Sequence, residues 1–179
     1  MAKKDAKAPK PAPKNTVPEG RGGALSTIIG EDVAERVAAQ LQQNLVDFLG
    51  LGLAVKQAHW NLVGPHFYHL HEFLDEVYED VQEMTDETAE RMRQLQRFPN
   101  GNADAIAADT RIPAMPLGRI ADMDAIRHVL DRVSAAIDAT RERLETFEED
   151  EVVTADLVHA HLEKLEMRAW MLRAILGEN

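Results

Sequence analysis

Apolar residues recur at three- and four-residue steps along four separate stretches of the chain, the signature of amphipathic helices. The first stretch runs from Glu31 to about Leu62 and turns Val33, Val37, Leu41, Leu45, Phe48 and Val55 to one side. Glu31 and Asp32 open it, where a helix N-terminus favours negative charge. Gly64-Pro65 closes it, because proline disfavours helix in the residue before it. The second runs from about Phe67 to Arg97 through Leu70, Leu74, Val77, Val81, Met84 and Leu95. The third spans about Asp122 to Glu148, with Ile126, Val129, Val133, Ile137, Leu144 and Phe147 inward. The fourth spans about Thr154 to Leu176, with Thr154 as its expected N-cap and Leu162, Leu165, Leu172 and Ile175 inward.

Between the second and third helices, Phe98 to Gly118 holds three prolines and two glycines. So long a connection is expected to cross a bundle and to hold a short helical turn of its own. Four long helices with one long crossover describe an all-α, ferritin-like four-helix bundle. Composition agrees: 45% of the 179 residues are apolar but only 5% aromatic, and long β-branched runs are missing. The length suits one domain and a tail. The bundle is expected over residues 24–179, preceded by an arm over residues 1–23.

That arm is where charge changes the picture. Lys3, Lys4, Lys7, Lys10, Lys14 and Arg21 face only Asp5 and Glu19, a net +4. Since the whole chain carries −11, the remainder carries −15. Rich in Pro, Ala and Gly and almost devoid of larger apolar side chains, the arm cannot offset its ordering entropy by burial and reads as disordered. It lacks the apolar core of a secretory signal. No stretch of the chain approaches the roughly 20 apolar residues that span a bilayer. The expected address is the cytoplasm, with no membrane partner.

Candidate chemistry is concentrated between Lys56 and Arg91. Four of the seven histidines fall between positions 59 and 71. Without cysteine, any metal must be held by nitrogen and oxygen, and imidazole with carboxylate suits iron, manganese or zinc. The candidate ligands are His59, His71, Asp75, Asp86 and Glu90. His71 and Asp75 share one helical face at i, i+4, and so do Asp86 and Glu90. The two pairs start fifteen residues apart, about 22 Å along a helix. One metal ion cannot bridge that gap within one helix. All five can share a metal only if two copies of the helix lie antiparallel, one chain's first pair meeting the other's second. Glu-x-x-His, the usual motif of a di-iron site inside one bundle, is missing. Asp156-x-x-His159 is the nearest approach to it.

These residues form a recognisable run. Lys56, His59-Trp60-Asn61, Gly64, Phe67, Leu70-His71-Glu72 and Asp75, followed by Asp86 and Ala89-Glu90-Arg91, resemble the signature of the Dps family, the DNA-binding proteins from starved cells. The likeness extends from about Ile28 to Leu176 and includes the close of the last helix. It implies a dodecameric shell of four-helix subunits with ferroxidase centres at two-fold interfaces. There Fe(II) is oxidised, preferentially by hydrogen peroxide, and ferric mineral is stored inside. His59, His71 and Asp75 would come from one subunit, and Asp86 and Glu90 from its mate.

By the same resemblance, Trp60 is the aromatic residue able to take up a stray oxidising equivalent, with interface packing as its alternative role. Lys56 either orients a site carboxylate or is an ordinary surface lysine. His66 and His69 lie outside the ligand set. Asp131, on a seven-residue stripe with Asp124 and Asp138, aligns with an aspartate of the family's three-fold ion pores, and the acidic body suits a surface that binds and nucleates iron. The short ending after Leu176 has no fifth long helix, which argues against a 24-subunit ferritin. Twelve basic arms would supply sequence-independent, salt-sensitive DNA binding to a nucleoid-associated particle through Lys3, Lys4, Lys7, Lys10, Lys14 and Arg21. The alternative is a nucleoid-compacting protein with a structural or vestigial metal site.

Overall fold

A computed structural model describes residues 29–178. The long helices are α1 (Glu31–Asn61), α2 (Phe67–Gln94), α4 (Asp122–Asp150) and α5 (Val152–Leu176). A short helix, α3 (Ala103–Asp109), lies in the crossover, as the length of that connection predicts. Strands β1 (Leu62–Val63) and β2 (Ile120–Ala121) pair in parallel, Leu62 opposite Ile120. The basic arm lies outside the described residues.

α1 and α2 form one helical hairpin and α4 and α5 another, and α1 packs along α4. The strand pair fastens the end of α1 to the start of α4, so those two helices run in opposite directions. Burial on α1 is wider than one stripe. Ala34, Ala38, Val46, Leu51, Ala54 and Ala58 are buried besides most of the predicted positions. The reason is the crossover, which runs beside α1 and covers a third side. Gln42 and the Asn100 backbone exchange two hydrogen bonds of 2.9 and 2.8 Å. Farther along, the Asp47 carboxylate accepts the Arg111 backbone N–H at 2.7 Å.

Asp47 is itself buried, and its other oxygen accepts from Arg143 of α4 at 2.7 Å. Arg143 also donates to Asn44 at 2.7 Å. Burial pushes the Arg143 guanidinium below its ordinary range. A pair so enclosed costs several kcal/mol to break on one side, about 3–5 kcal/mol, because the surviving charge is left without a partner.

Two helix ends differ from the sequence expectation. α2 stops at Gln94 rather than near Arg97. Gln96 takes a left-handed φ of 60°, and the Arg97 N–H turns back to the Met92 carbonyl at 2.9 Å. This sends the Arg97 side chain to Glu31 and Glu35 at the start of α1. α5 begins at Val152, and its N-cap is Glu151 rather than Thr154. The Glu151 carboxylate accepts from the backbone N–H groups of Val153 and Thr154 and from the Thr154 hydroxyl. Arg91 donates to the same carboxylate at 2.5 Å, which favours a glutamate cap over a hydroxyl. The α4–α5 turn is thereby locked to α2. No helix among the described residues is long and apolar enough to cross a membrane.

Candidate metal centre

The α1–α2 hairpin sets His59 against His71. Their rings stack at 3.6 Å between centroids, 22° from parallel. His59 Nδ1 lies 3.0 Å from the His71 carbonyl, and His71 Nδ1 lies 3.1 Å from the His59 carbonyl. A carbonyl can only accept, so both Nδ1 atoms carry a proton, and the tautomer so fixed leaves Nε2 as the ring atom that can offer a lone pair to a ligand. Such an outer hydrogen bond is what fixes tautomer and ring angle in metal-binding histidines. Phe67 also stacks on His71, with 5.0 Å between ring centroids.

Asp75 follows His71 by one turn of α2. Its Oδ1 lies 3.4 Å from His59 Nδ1 and 2.5 Å from the Nζ of Lys56, which precedes His59 by one turn of α1. The Lys56 hydrogen bond is the main cause that holds the Asp75 carboxyl below the usual carboxylate range. Lys56 also sits 4.9 Å from the Tyr78 ring centroid. Burial lowers the pKa of His59, so the ring stays neutral to lower pH than a free histidine. One ligand atom each from His59, His71 and Asp75 lies within 4.8 Å of the others. Among the described residues, this is the one group of three or more such side chains that could hold a metal ion.

Asp86 and Glu90 are not part of it. Both are exposed on α2, and Asp86 lies eleven residues beyond Asp75, roughly 16 Å along the axis. Asp86 borders an open groove of 510 Å³ with Leu49, Gln82 and Ala89. Glu90 borders another, of 200 Å³, with Arg91, Val153 and Leu157. The chain therefore brings His59, His71 and Asp75 together at the α1–α2 hairpin and leaves Asp86 and Glu90 exposed farther along α2.

Trp60 is 66% exposed and borders an apolar groove of 420 Å³ between α1 and the crossover, with Leu53, Ile106 and Met115. His66 pairs with Asp122, the first residue of α4, through Nδ1 at 3.1 Å and its backbone N–H at 3.0 Å. His69 is exposed. Asp124, Asp131 and Asp138 are all exposed along α4, and Asp131 lies 3.8 Å from Arg132. Asp156 is exposed, and His159 pairs with Glu148 at 3.1 Å. Sequence reasoning left Lys56 open and missed Asp122 and His161. Asp122 had a signal in its place at the head of a predicted helix. His161, between Val158 and Leu162 on the apolar face of α5, had one in its polarity there.

Residues 38–179 match the model of the ferritin-like domain. The DNA protection during starvation protein of Mycolicibacterium smegmatis is 36% identical over 149 residues, covering 83% of this chain and 81% of that protein. The fine tangled pili major subunit of Haemophilus ducreyi is 36% identical over 140 residues, 78% of this chain and 74% of its own length. The crystal structure of Dps92 from Deinococcus radiodurans superposes with a TM-score of 0.79 at 29% identity, over 83% of this chain and 90% of that one. The helical order, the crossover and this likeness agree: the chain belongs to the Dps family of ferritin-like proteins.

Proposed function

We propose that this protein is a Dps-type ferroxidase and iron store whose oxidation centre is built only when two chains meet. The observation that carries the reading is the division of ligands. His59, His71 and Asp75 converge, while Asp86 and Glu90 stand roughly 16 and 22 Å beyond Asp75 along the same helix. A two-fold interface is self-complementary, so each half-set of one chain faces the other half-set of its partner and two centres form at once.

Iron is the substrate. The neutral imidazoles favour Fe(II), and the carboxylates are the hard ligands suited to Fe(III). Each of two Fe(II) ions gives up one electron. Hydrogen peroxide takes both, its O–O bond breaks, and with two protons it leaves as two waters. Fe(II) and peroxide are consumed together, which protects DNA from oxidative damage. Twelve subunits would enclose the mineral, with Asp131 lining the path of incoming iron and the exposed acids of α4 supplying charge. Trp60, beside His59 and open to its surroundings, would take up a stray oxidising equivalent. The arm's Lys3, Lys4, Lys7, Lys10, Lys14 and Arg21 would bind DNA without sequence preference, placing the particle in the cytoplasm on the nucleoid.

Mixing two inactive variants tests the shared centre. Asp75→Ala and Glu90→Ala each damage every centre in their own dimers. Co-assembled, a mixed pair has one intact centre and one doubly damaged, so random pairing restores about one centre in four. Peroxide-driven Fe(II) oxidation should reappear on mixing. If the mixture stays as inactive as either variant, the centre does not span two chains. Deleting residues 1–23 should abolish a low-salt gel shift and leave iron oxidation unchanged; a shift that persists removes the arm from DNA binding.

A further inference from the structure

The core consists of two apolar clusters that meet at a polar seam. One contains Phe48 of α1, Met84 of α2, Ala136 of α4 and Leu165 of α5. The other contains Leu45, Met92, Phe147 and Leu162 of the same four helices. Between them lie Asn44, Thr88, Thr140 and His161, one from each long helix and none more than 1% exposed, beside the buried Asp47–Arg143 pair. The Thr88 hydroxyl donates to the Met84 carbonyl at 2.7 Å. Each of the other three keeps an atom without a hydrogen-bonding partner among the described residues: Asn44 Nδ2, Thr140 Oγ1 and His161 Nδ1. Native interiors rarely leave such atoms unpaired, and ordered water is their usual partner.

The neighbours of these residues fix what each orphan atom requires. Asn44 Oδ1 accepts from Arg143, which orients the amide and leaves Nδ2 as a donor. His161 Nε2 lies 2.9 Å from Glu87 Oε2. The carboxylate accepts, so Nε2 carries the proton and Nδ1 is a lone pair in need of a donor. Burial lowers the pKa of His161, consistent with that neutral ring. The Thr140 hydroxyl serves either role. Phe48 closes the site from the side of α1, its ring edge-on to His161 at 5.6 Å.

One donor, one acceptor and one group of both kinds suit a small neutral molecule that also donates and accepts. A cation would meet a donor at Asn44 with the Arg143 guanidinium behind it, and none of the three atoms belongs to a carboxylate. An anion would face the His161 lone pair. We propose that the centre of the bundle binds one internal water, accepting from Asn44 Nδ2 and Thr140 Oγ1 and donating to His161 Nδ1. The water ties α1, α4 and α5 together at one level, and His161 carries the link on to Glu87 of α2, beside Asp86. This site belongs to the single chain and stands whether or not the iron chemistry proposed above is correct.

A high-resolution crystal structure of the full chain tests it. The expected result is one water peak at about 2.7–3.2 Å from all three atoms. Thr140→Ser should keep the peak and Thr140→Val, equal in shape but without the hydroxyl, should lose it. No peak at the seam in the parent, or an equal peak in Thr140→Val, overturns the proposal. Should Thr140→Val fail to fold, the parent density alone decides.

Discussion

His59 and His71 each donate from Nδ1 to the other's backbone carbonyl, at 3.0 and 3.1 Å, across two different helices. The exchange fixes a proton on both Nδ1 atoms and so leaves Nε2 as the ring atom free for any ligand. It also makes each ring depend on the other residue's main chain rather than on its side chain. His71→Ala should therefore leave His59 in the Nδ1–H form. Nitrogen chemical shifts of selectively labelled histidine check this; an Nε2–H ring in the variant would show that stacking, not the carbonyl, sets the tautomer.

Lys56 places an ammonium on Asp75, the same carboxylate that the proposed centre would offer to an incoming cation. Lys56→Met removes that competitor. Both groups are partly exposed, so the screened pair is worth roughly 1 kcal/mol, and Fe(II) affinity should rise about fivefold. Anaerobic titration of the variant with Fe(II) gives the answer. A weaker affinity would mean that Lys56 holds Asp75 in a binding pose instead.

Gly64 has no side chain because Asp122 occupies the space beside it. A methyl group there would collide with the Asp122 carboxyl. The carboxyl cannot withdraw freely, since it accepts backbone N–H groups from His66 at 3.0 Å and Met123 at 2.9 Å. Gly64→Ala should cost about 1–3 kcal/mol in urea unfolding. In an Asp122→Ala background the same change should cost much less; equal costs in both backgrounds would locate the strain elsewhere.

His161 links stability to pH. Its folded pKa lies below the ordinary value near 6.5 because burial outweighs the stabilisation of its charge by Glu87 and Glu83, with Lys164 opposing protonation further. Between the two pKa values the unfolded chain binds more protons than the folded one, so stability rises with pH and is lost as pH falls below about 6.5. His161→Gln should flatten urea midpoints compared at pH 7.5 and 5.5. His59, lowered in the same direction, keeps the slope from vanishing. An undiminished slope would mean that His161 takes up its proton in place.

Gln96 pays for its left-handed φ of 60° where a glycine would not. Gln96→Gly should stabilise the fold by about 0.5–1 kcal/mol, offset in part by the greater freedom of glycine when unfolded. Thermal unfolding measures it. A lower melting temperature would show that the Gln96 side chain contributes more than the backbone loses.

Much of the candidate centre was legible because helical geometry is local. A fixed rise per residue separates His71 and Asp75 from Asp86 and Glu90 whatever else the chain does. The same periodicity identified most of the core, from Val37 to Leu172. Lys56 was different: its spacing one turn before His59 puts it near the site but leaves its partner open, and the docking angle of α1 on α2 chooses Asp75. Thr154 suits a cap because hydroxyls favour that place, yet Glu151 takes it once Arg91 arrives from α2. Glycine or asparagine usually marks a left-handed helix end, so Gln96 carried no such mark.

The sequence by itself determined four amphipathic helices, a long crossover, the lack of any thiol and the axial distance from His71 and Asp75 to Asp86 and Glu90. Each follows from residue type and from periodicity over a few turns, which short-range sterics and backbone hydrogen bonding impose. Only the tertiary structure decided that the crossover covers α1, that two histidines lock each other's tautomers, and that Arg143 reaches both Asn44 and Asp47 while His161 reaches Glu87. Those contacts join residues far apart in the chain, and their distances depend on how whole helices pack, which no local pattern encodes.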